Sequence, residues 1–214
     1  MSREKVVVVK VGGSLLSLSG LAERLQRLFA ATDASKVLVV PGGGKVTGFV
    51  RDWDRVHTLA TDVSHQLAID SLGLTARLLA SVLPEASLVT ERPTVRSSQK
   101  VVILDIPRIL ASADCQESPQ LPVGWHVTSD SIAAWIAIHW KVDELVLAKS
   151  VGAPEAISDP SKANDSNQAV DSAFGKFIPC LPPLFWCNLR GDPSILCAFE
   201  KSQDGSTLTS VRPQ

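Results

Sequence analysis

Apolar and polar positions along this chain fall into blocks with two different periods. Val6-Val7-Val8-Val9-Lys10-Val11 is a β-branched run interrupted by one cation, the pattern of a strand buried on both faces. Leu21, Leu25, Leu28 and Phe29 then recur at helical spacing, with Glu23, Arg24, Gln26 and Arg27 opposite them. Val37-Leu38-Val39-Val40 predicts a second buried strand, closed by Pro41-Gly42-Gly43-Gly44. A short helix with Val46, Phe49, Val50 and Trp53 as its apolar side follows.

Residues 62–83 form the longest helical block. Leu67, Leu74, Leu78 and Val82 make its apolar stripe, Thr61 or Asp62 can cap it, and Pro84 ends it. Gly73 lies inside this block and predicts a kink or two helices. Short strands at 87–90 and 101–105 lead to a helix opened by Pro107. Residues 113–123 are polar with two prolines and read as a loop. Residues 129–140 predict a strongly apolar helix that is polar only at its start. Residues 144–148 predict another buried strand, ended by Lys149. Residues 159–168 are polar. From 184 to 211 the pattern reads strand, helix, strand, with Asp192-Pro193 as the helix start.

Buried strands alternating with helices predict an α/β fold, a three-layer αβα sandwich with a mainly parallel sheet. At 214 residues, with no linker or internal repeat, a single domain over 1–214 is expected. Composition narrows the function. Net charge is −1 and no basic tract appears, which argues against nucleic acid. No apolar run is long enough to span a membrane. The start of the chain lacks the pattern of an export signal, and Cys115, Cys180, Cys187 and Cys197 lack zinc-site spacing, so reduced thiols and a cytoplasmic location are expected. An anionic ligand must be held by local groups rather than by the field of the whole protein.

Such groups gather at the predicted strand ends, where α/β sheets bind ligands. Lys10 precedes Gly12, Gly13 and Ser14, whose bare amides can cradle phosphate. The order differs from a Walker A loop, in which the lysine follows the glycines. Gly42, Gly43 and Gly44 end the second strand. Lys149 repeats at 144–148 the design of Lys10 in the first strand. Two converging cations suit a transferring phosphoryl group. Asp130, in Thr128-Ser129-Asp130-Ser131, either complements the start of its helix or orients the two lysines, and the two roles are compatible. His65 is either a substrate contact or an ordinary helix residue, and His139 reads as structural.

Together these motifs resemble the amino acid kinase superfamily. The resemblance rests on Lys10-Val11-Gly12-Gly13-Ser14, Pro41-Gly42-Gly43-Gly44, Thr128-Ser129-Asp130, Leu147-Ala148-Lys149-Ser150-Val151 and the tail Asp204-Gly205-Ser206-Thr207-Leu208. It implies a carbamate kinase-like fold, transfer of the γ-phosphoryl group of ATP, magnesium held mainly by nucleotide and water oxygens rather than by a protein cage, and a homo-oligomer. It implies that Lys10 and Lys149 stabilise the moving phosphoryl group and that Asp130 orients both. It places Gly12, Gly13, Ser14 and Asp159, the last in an Asp-Pro pair on the adenine side, around ATP. It places Gly42, Gly43, Gly44, His65 and Ser129 around a small-molecule acceptor. Ser150-Val151-Gly152-Ala153-Pro154 differs from the Val-Asp-Gly-Val of many relatives.

The short length and the His65-Gln66-Leu67-Ala68-Ile69 helix look most like the small kinases of methanofuran synthesis, which act on 5-(aminomethyl)-3-furanmethanol phosphate. His65 or Arg77 would suit the phosphate of such an acceptor. An acetylglutamate- or aspartate-type kinase is the alternative, with Arg51 or Arg55 as the carboxylate contact. From another class, a non-catalytic nucleotide- or oxyanion-binding assembly module uses the same fold, but needs no pair of catalytic cations. A Rossmann dehydrogenase is disfavoured because its glycine spacing and second-strand acid are both missing.

Overall fold

Valine-rich segments dictate the centre of the sheet. The structure, a computed structural model, describes residues 4–94, 99–112, 121–158, 169–191 and 196–211. Strands β1 (Val6–Val11), β2 (Lys36–Pro41), β4 (Val101–Leu104) and β5 (Glu144–Lys149) carry almost only apolar side chains and are consecutive neighbours inside the sheet, in the order β4-β2-β1-β5. With β3 (Ser87–Val89), β6 (Ala156–Ser158), β7 (Leu184–Asn188), β8 (Cys197–Lys201) and β9 (Thr207–Val211) they form one nine-stranded sheet, ordered β3-β4-β2-β1-β5-β7-β8-β9-β6. Pairs from β3 through β7 are parallel and those from β7 through β6 antiparallel. The architecture is the predicted α/β sandwich with a mainly parallel sheet.

Among the described residues five α-helices cover the two faces: α1 (Leu21–Ala31), α2 (Gly44–His57), α3 (Thr61–Val82), α4 (Ile106–Ala111) and α5 (Ser129–His139). The period-two alternation of β1 divides its valines between two cores. Val7, Val9 and Val11 pack with Leu21, Leu25, Leu28 and Phe29 of α1. Val8 packs with Ile132 and Trp135 of α5. Lys10 shares the parity of Val8 and therefore points to the α5 face. On β5, Leu145 and Leu147 belong to that same core, so Lys149, two residues on, points to the same side. β1 and β5 are paired with Lys10 opposite Leu147. The two lysines thus emerge on one face, at the carboxyl ends of neighbouring parallel strands.

Several expectations need correction. α3 is one continuous helix. Gly73 does not break it; a Cβ there would stand 3.0 Å from Pro107 Cγ, so glycine lets α4 approach. Neither Thr61 nor Asp62 caps α3. Ala60 holds the cap position, and Asp62 sits in the first turn, where it complements the helix dipole. The stripe Leu67, Leu74, Leu78 and Val82 faces outward, and the buried side of α3 is Ser64, Ile69, Ser71, Leu72, Gly73, Thr75, Ala76 and Leu79. On α2, Phe49, Trp53 and Val56 are likewise uncovered, with Phe49 67% and Val56 70% exposed, while Val46 and Val50 are half-buried. At 197–201 the structure has strand β8 rather than helix. Phe199 turns inward between outward neighbours and stacks obliquely on Trp186, a period-two pattern that pairing with β7 and β9 selects. Asp192-Pro193, Cys115 and most of the loop read over 113–123 lie outside the described residues, as does the polar segment from 159 to 168. Among the described residues no helix is long and apolar enough to cross a membrane.

Candidate active site

The centre of the site is a three-residue charge cluster. Lys10 Nζ lies 2.8 Å from Asp130 Oδ1, and Lys149 Nζ lies 2.6 Å from Asp130 Oδ2. Lys10 and Asp130 are each only 4% exposed. Lys149 also donates to the Ala169 carbonyl at 2.9 Å and stands over the Trp186 ring, 5.4 Å from its centroid. One carboxylate thus fixes two ammonium groups, one on each oxygen. Burial pushes the Asp130 carboxyl up, but Lys10 and Lys149 more than offset this and hold it below the usual carboxylate range, so it stays ionised. Burial, followed by repulsion from Lys10, pulls Lys149 down to about 8 against the support of Asp130. The cluster carries one net positive charge when all three groups are ionised, and each ammonium has more N–H groups than described protein acceptors.

Asp130 is held by the start of α5. The Thr128 side chain accepts from the Asp130 amide, so Thr128 is the cap, and Asp130 occupies the first turn. A second carboxylate, Asp171, braces this turn from a distant part of the chain. Its Oδ2 accepts from the Thr128 amide at 2.9 Å, the Thr128 hydroxyl at 2.7 Å and the Ser131 amide at 3.0 Å. Its Oδ1 accepts from the Ser131 hydroxyl and from the amides of Ala173 and Phe174. The stretch that contains Asp171 also supplies the Ala169 carbonyl to Lys149. Sequence reasoning missed Asp171, because its partners at the start of α5 lie 40 and 43 positions away.

The two glycine turns meet beside this cluster. Gly12 donates to the Ala148 carbonyl at 2.8 Å and so continues the pairing of β1 with β5. A Cβ on Gly13 would run into the Gly44 backbone, and one on Gly42 would run into Gly13. Gly44 has φ of +55°. These glycines therefore permit the turns to pack main chain on main chain, a requirement separate from approach to phosphate. The Ser14 and Ser150 hydroxyls are 2.8 Å apart across the turn.

Next to the turns lies a cavity of about 280 Å³. Gly13, Ser14, Gly43, Gly44 and Ser129 line one end, and Thr47, Gly48 and Arg51 of α2 face His65, Ala68, Ile69 and Leu72 of α3 along it. Trp125 and Val127 complete the wall. Of the expected acceptor residues, Gly43, Gly44, His65 and Ser129 are on this lining, whereas Gly42 is buried against Gly13 and off it. Lys10, Lys149 and Asp130 are not on the lining either, although their chain neighbours Ser129 and Gly13 are. Arg77, exposed on α3, is not on the lining. Asp159 lies outside the described residues. His65 Nδ1 accepts from the Gly124 amide at 3.3 Å, which leaves the proton of the neutral ring on Nε2. Burial lowers the His65 pKa, and the ring is neutral near pH 7. Among the described residues no cluster of three His, Cys, Asp or Glu side chains forms a metal cage.

Comparison with known proteins agrees with this geometry. Residues 5–162 match the profile of the Amino acid kinase family. The [5-(aminomethyl)furan-3-yl]methyl phosphate kinase of Methanocaldococcus jannaschii is 27% identical over 146 residues, which are 67% of this chain and 65% of that enzyme. The chain therefore matches just under two thirds of that relative's length. Among solved structures, the uridylate kinase of Archaeoglobus fulgidus superposes with a TM-score of 0.59 at 21% identity, covering 87% of this chain and 91% of that one. The UMP kinase of Ureaplasma parvum gives 0.57 at 14% identity, covering 89% and 92%. The family match covers well over half of the chain, and with the shared fold behind it the conclusion is direct: this protein belongs to the amino acid kinase family.

Proposed function

We propose that the protein is an ATP-dependent phosphotransferase that acts on a small phosphate-bearing acceptor, with 5-(aminomethyl)-3-furanmethanol phosphate as the first candidate. The observation that carries this reading is the buried Lys10–Asp130–Lys149 cluster at two parallel strand ends, beside paired glycine turns and a small cavity. In the reaction an acceptor phosphate oxygen attacks the γ-phosphorus of ATP. The new P–O bond forms as the bond to the β,γ-bridging oxygen breaks, ADP leaves, and the acceptor becomes a diphosphate. Such a transition state needs positioning and charge stabilisation more than a strong base. Lys10 and Lys149 supply positive charge to the migrating group, and Asp130 fixes their direction. Gly13 and Ser14 face the nucleotide phosphates, while Gly43, Gly44, Ser129 and His65 face the acceptor; Gly12, expected to offer a bare amide, spends it on the Ala148 carbonyl and shapes the turn instead. Asp159 is kept as a nucleotide-side contact. Magnesium arrives with ATP, held by phosphate and water oxygens; the one carboxylate of the cluster is already committed to two lysines.

The test is a panel of acceptors with ATP and magnesium: the furan phosphate, uridylate, isopentenyl phosphate, acetylglutamate, aspartate and carbamate. Turnover of the furan phosphate is expected, with Lys10→Ala slowing it on the order of a hundredfold or more. Wild-type rates in Lys10→Ala would remove the phosphotransfer reading. Turnover of acetylglutamate or aspartate alone would favour the amino acid kinase alternative. ATP binding without turnover of any acceptor would favour the assembly module.

The reading extends to a homo-oligomer built through α2 and α3. Phe49, Trp53 and Val56 on one helix, and Val63, Leu67, Leu74, Leu78 and Val82 on the next, form an uncovered apolar face. Soluble monomers rarely leave such a patch in water.

A further inference from the structure

Among the described residues Arg51 is the only arginine on the cavity lining, and none of them places a carboxylate there. No ion pair is described for Arg51 among the described residues. The obvious partner on its own helix, Asp54 one turn on, is engaged elsewhere. Asp54 Oδ2 accepts from Trp125 Nε1 at 2.6 Å, and Oδ1 accepts from the Leu59 amide at 2.9 Å. The Trp125 ring, tied down by Asp54, lies under the Arg51 guanidinium, 4.9 Å from its carbon to the ring centroid. The loop that carries Trp125 is tied a second time, by Gly124 to His65. The exposed Arg51 guanidinium is therefore held over an aromatic face, with no ion-pair partner among the described residues, on a cavity that Ala68, Ile69 and Leu72 also line.

We propose that Arg51 is a specificity-determining residue that pairs with the anionic group of the acceptor. Trp125 and Asp54 position it, and the site takes a small, flat, phosphate-bearing acceptor in preference to an aliphatic amino acid. This rests on the phosphotransfer reading and names the acceptor class for it. A guanidinium presents a rigid fork that matches phosphate oxygens, and stacking on Trp125 reduces the entropy lost when it binds. Neutral His65 adds a donor but no charge, which leaves the selection of an anion to Arg51. An α-amino acid carries its ammonium on the carbon next to its carboxylate. Pairing that carboxylate with Arg51 would bring the ammonium among lining residues that include no carboxylate among those described, whereas a ring holds the amine of the furan compound away from its phosphate. A ring presents an apolar face to Ile69, Leu72 and Trp125 instead. The amine of the furan compound must then face the solvent side of the cavity.

The experiment is calorimetric titration of wild type, Arg51→Gln, Arg51→Lys and Trp125→Phe with three probes: the furan phosphate, its unphosphorylated alcohol and aspartate. ADP is the control ligand. Wild type is expected to bind the phosphate at least about tenfold more tightly than the alcohol or aspartate. Arg51→Gln is expected to lose at least about tenfold for the phosphate while its ADP affinity stays within about twofold. Arg51→Lys recovers part of the loss, and Trp125→Phe, which keeps the ring but loses the Asp54 bond, falls between. In turnover the acceptor KM, rather than kcat, carries the Arg51→Gln defect. Equal phosphate affinity in Arg51→Gln and wild type would overturn the proposal, as would a wild type that binds aspartate as well as the phosphate or binds none of the three probes. Parity of Arg51→Gln in an enzyme whose phosphotransfer is still abolished by Lys10→Ala removes this inference alone. Loss of that Lys10 dependence removes the phosphotransfer reading.

Discussion

Helices α5 and α3 both carry large apolar side chains, and these meet opposite fates. Every residue of α5 from Ser129 to Ala137 is buried. It lies on the sheet with Trp135 and Ile136 in the core, and its first turn delivers Asp130 to two lysines. On α3 the large residues Leu67, Leu74, Leu78 and Val82 face outward, and much of the side that meets the sheet and α4 is small: Ser64, Ser71, Gly73, Thr75 and Ala76. Periodicity identifies a stripe that wants to leave water, but it does not say what covers it. Small residues let a helix lie close to its neighbours, because the distance between packed elements follows the side chains at the contact. The larger stripe is then left exposed on the single chain.

The largest expected effect is on the α5 side of this comparison. Asp130→Asn removes the charge that holds Lys10 and Lys149 together in a buried site. Turnover is expected to fall on the order of a hundredfold. Stability is expected to fall by about 3 kcal/mol, because the two ammonium groups lose their countercharge. Activity per folded molecule, with thermal unfolding on the same sample, separates the two effects. Full activity per folded molecule would reduce Asp130 to a first-turn residue of α5.

A smaller effect concerns Lys149 and pH. Its pKa lies at about 8 in the folded protein against an ordinary 10.5. Between those values the unfolded chain binds more protons at this position than the folded one. The contribution of Lys149 to stability therefore rises with pH across that window and is flat on either side. Activity moves the other way, since deprotonation removes half of the cationic pair. The profile of kcat/KM, which reports the free enzyme, is expected to fall above pH about 8. Bound phosphates favour the ammonium form, so the fall in kcat lies at higher pH. A kcat/KM that stays level from pH 7 to 10 would show that Lys149 is not needed in its charged form.

The parts of the site that follow from local rules were legible in the sequence. Period-two alternation fixes which face each residue of β1 and β5 takes, so Lys10 and Lys149 are placed by the valines and leucines around them. An acid just after Thr128, at the head of an apolar helix, is placed by capping chemistry. The parts that depend on tertiary approach were not legible. Asp171 reaches Thr128 and Ser131 across 43 and 40 positions of chain. Trp125 meets Arg51 and Asp54 only because a loop crosses α2. Gly13 and Gly42 read as phosphate cradles, yet their first constraint is each other, which no single turn reveals. The tail failed for a local reason: Asp192-Pro193 resembles a helix start, while the alternation around Phe199 is satisfied by pairing on both sides.

The smallest effect on folding and chemistry is expected on the α3 side, and it breaks or sharpens the comparison most directly. Leu74 and Leu78 are 48% and 49% exposed in the single chain. Leu74→Glu with Leu78→Glu should therefore leave the unfolding of an isolated chain nearly unchanged, within about half a kcal/mol per surface position. If a second copy covers this face, two carboxylates per chain would have to be buried against apolar partners, which is costly enough to dissociate it. Light scattering is expected to show an oligomer for wild type and a monomer for the double variant. The proposed acceptor site, on the other side of α3, should keep most of its turnover. A wild-type monomer would mean that α3 keeps its large stripe in water by itself, and size alone would then no longer explain which face is left out. A double variant with unchanged mass would locate the interface elsewhere. Dissociation with retained activity would mean that α5 and α3 follow one rule: each buries its apolar residues, α5 within the chain and α3 between chains.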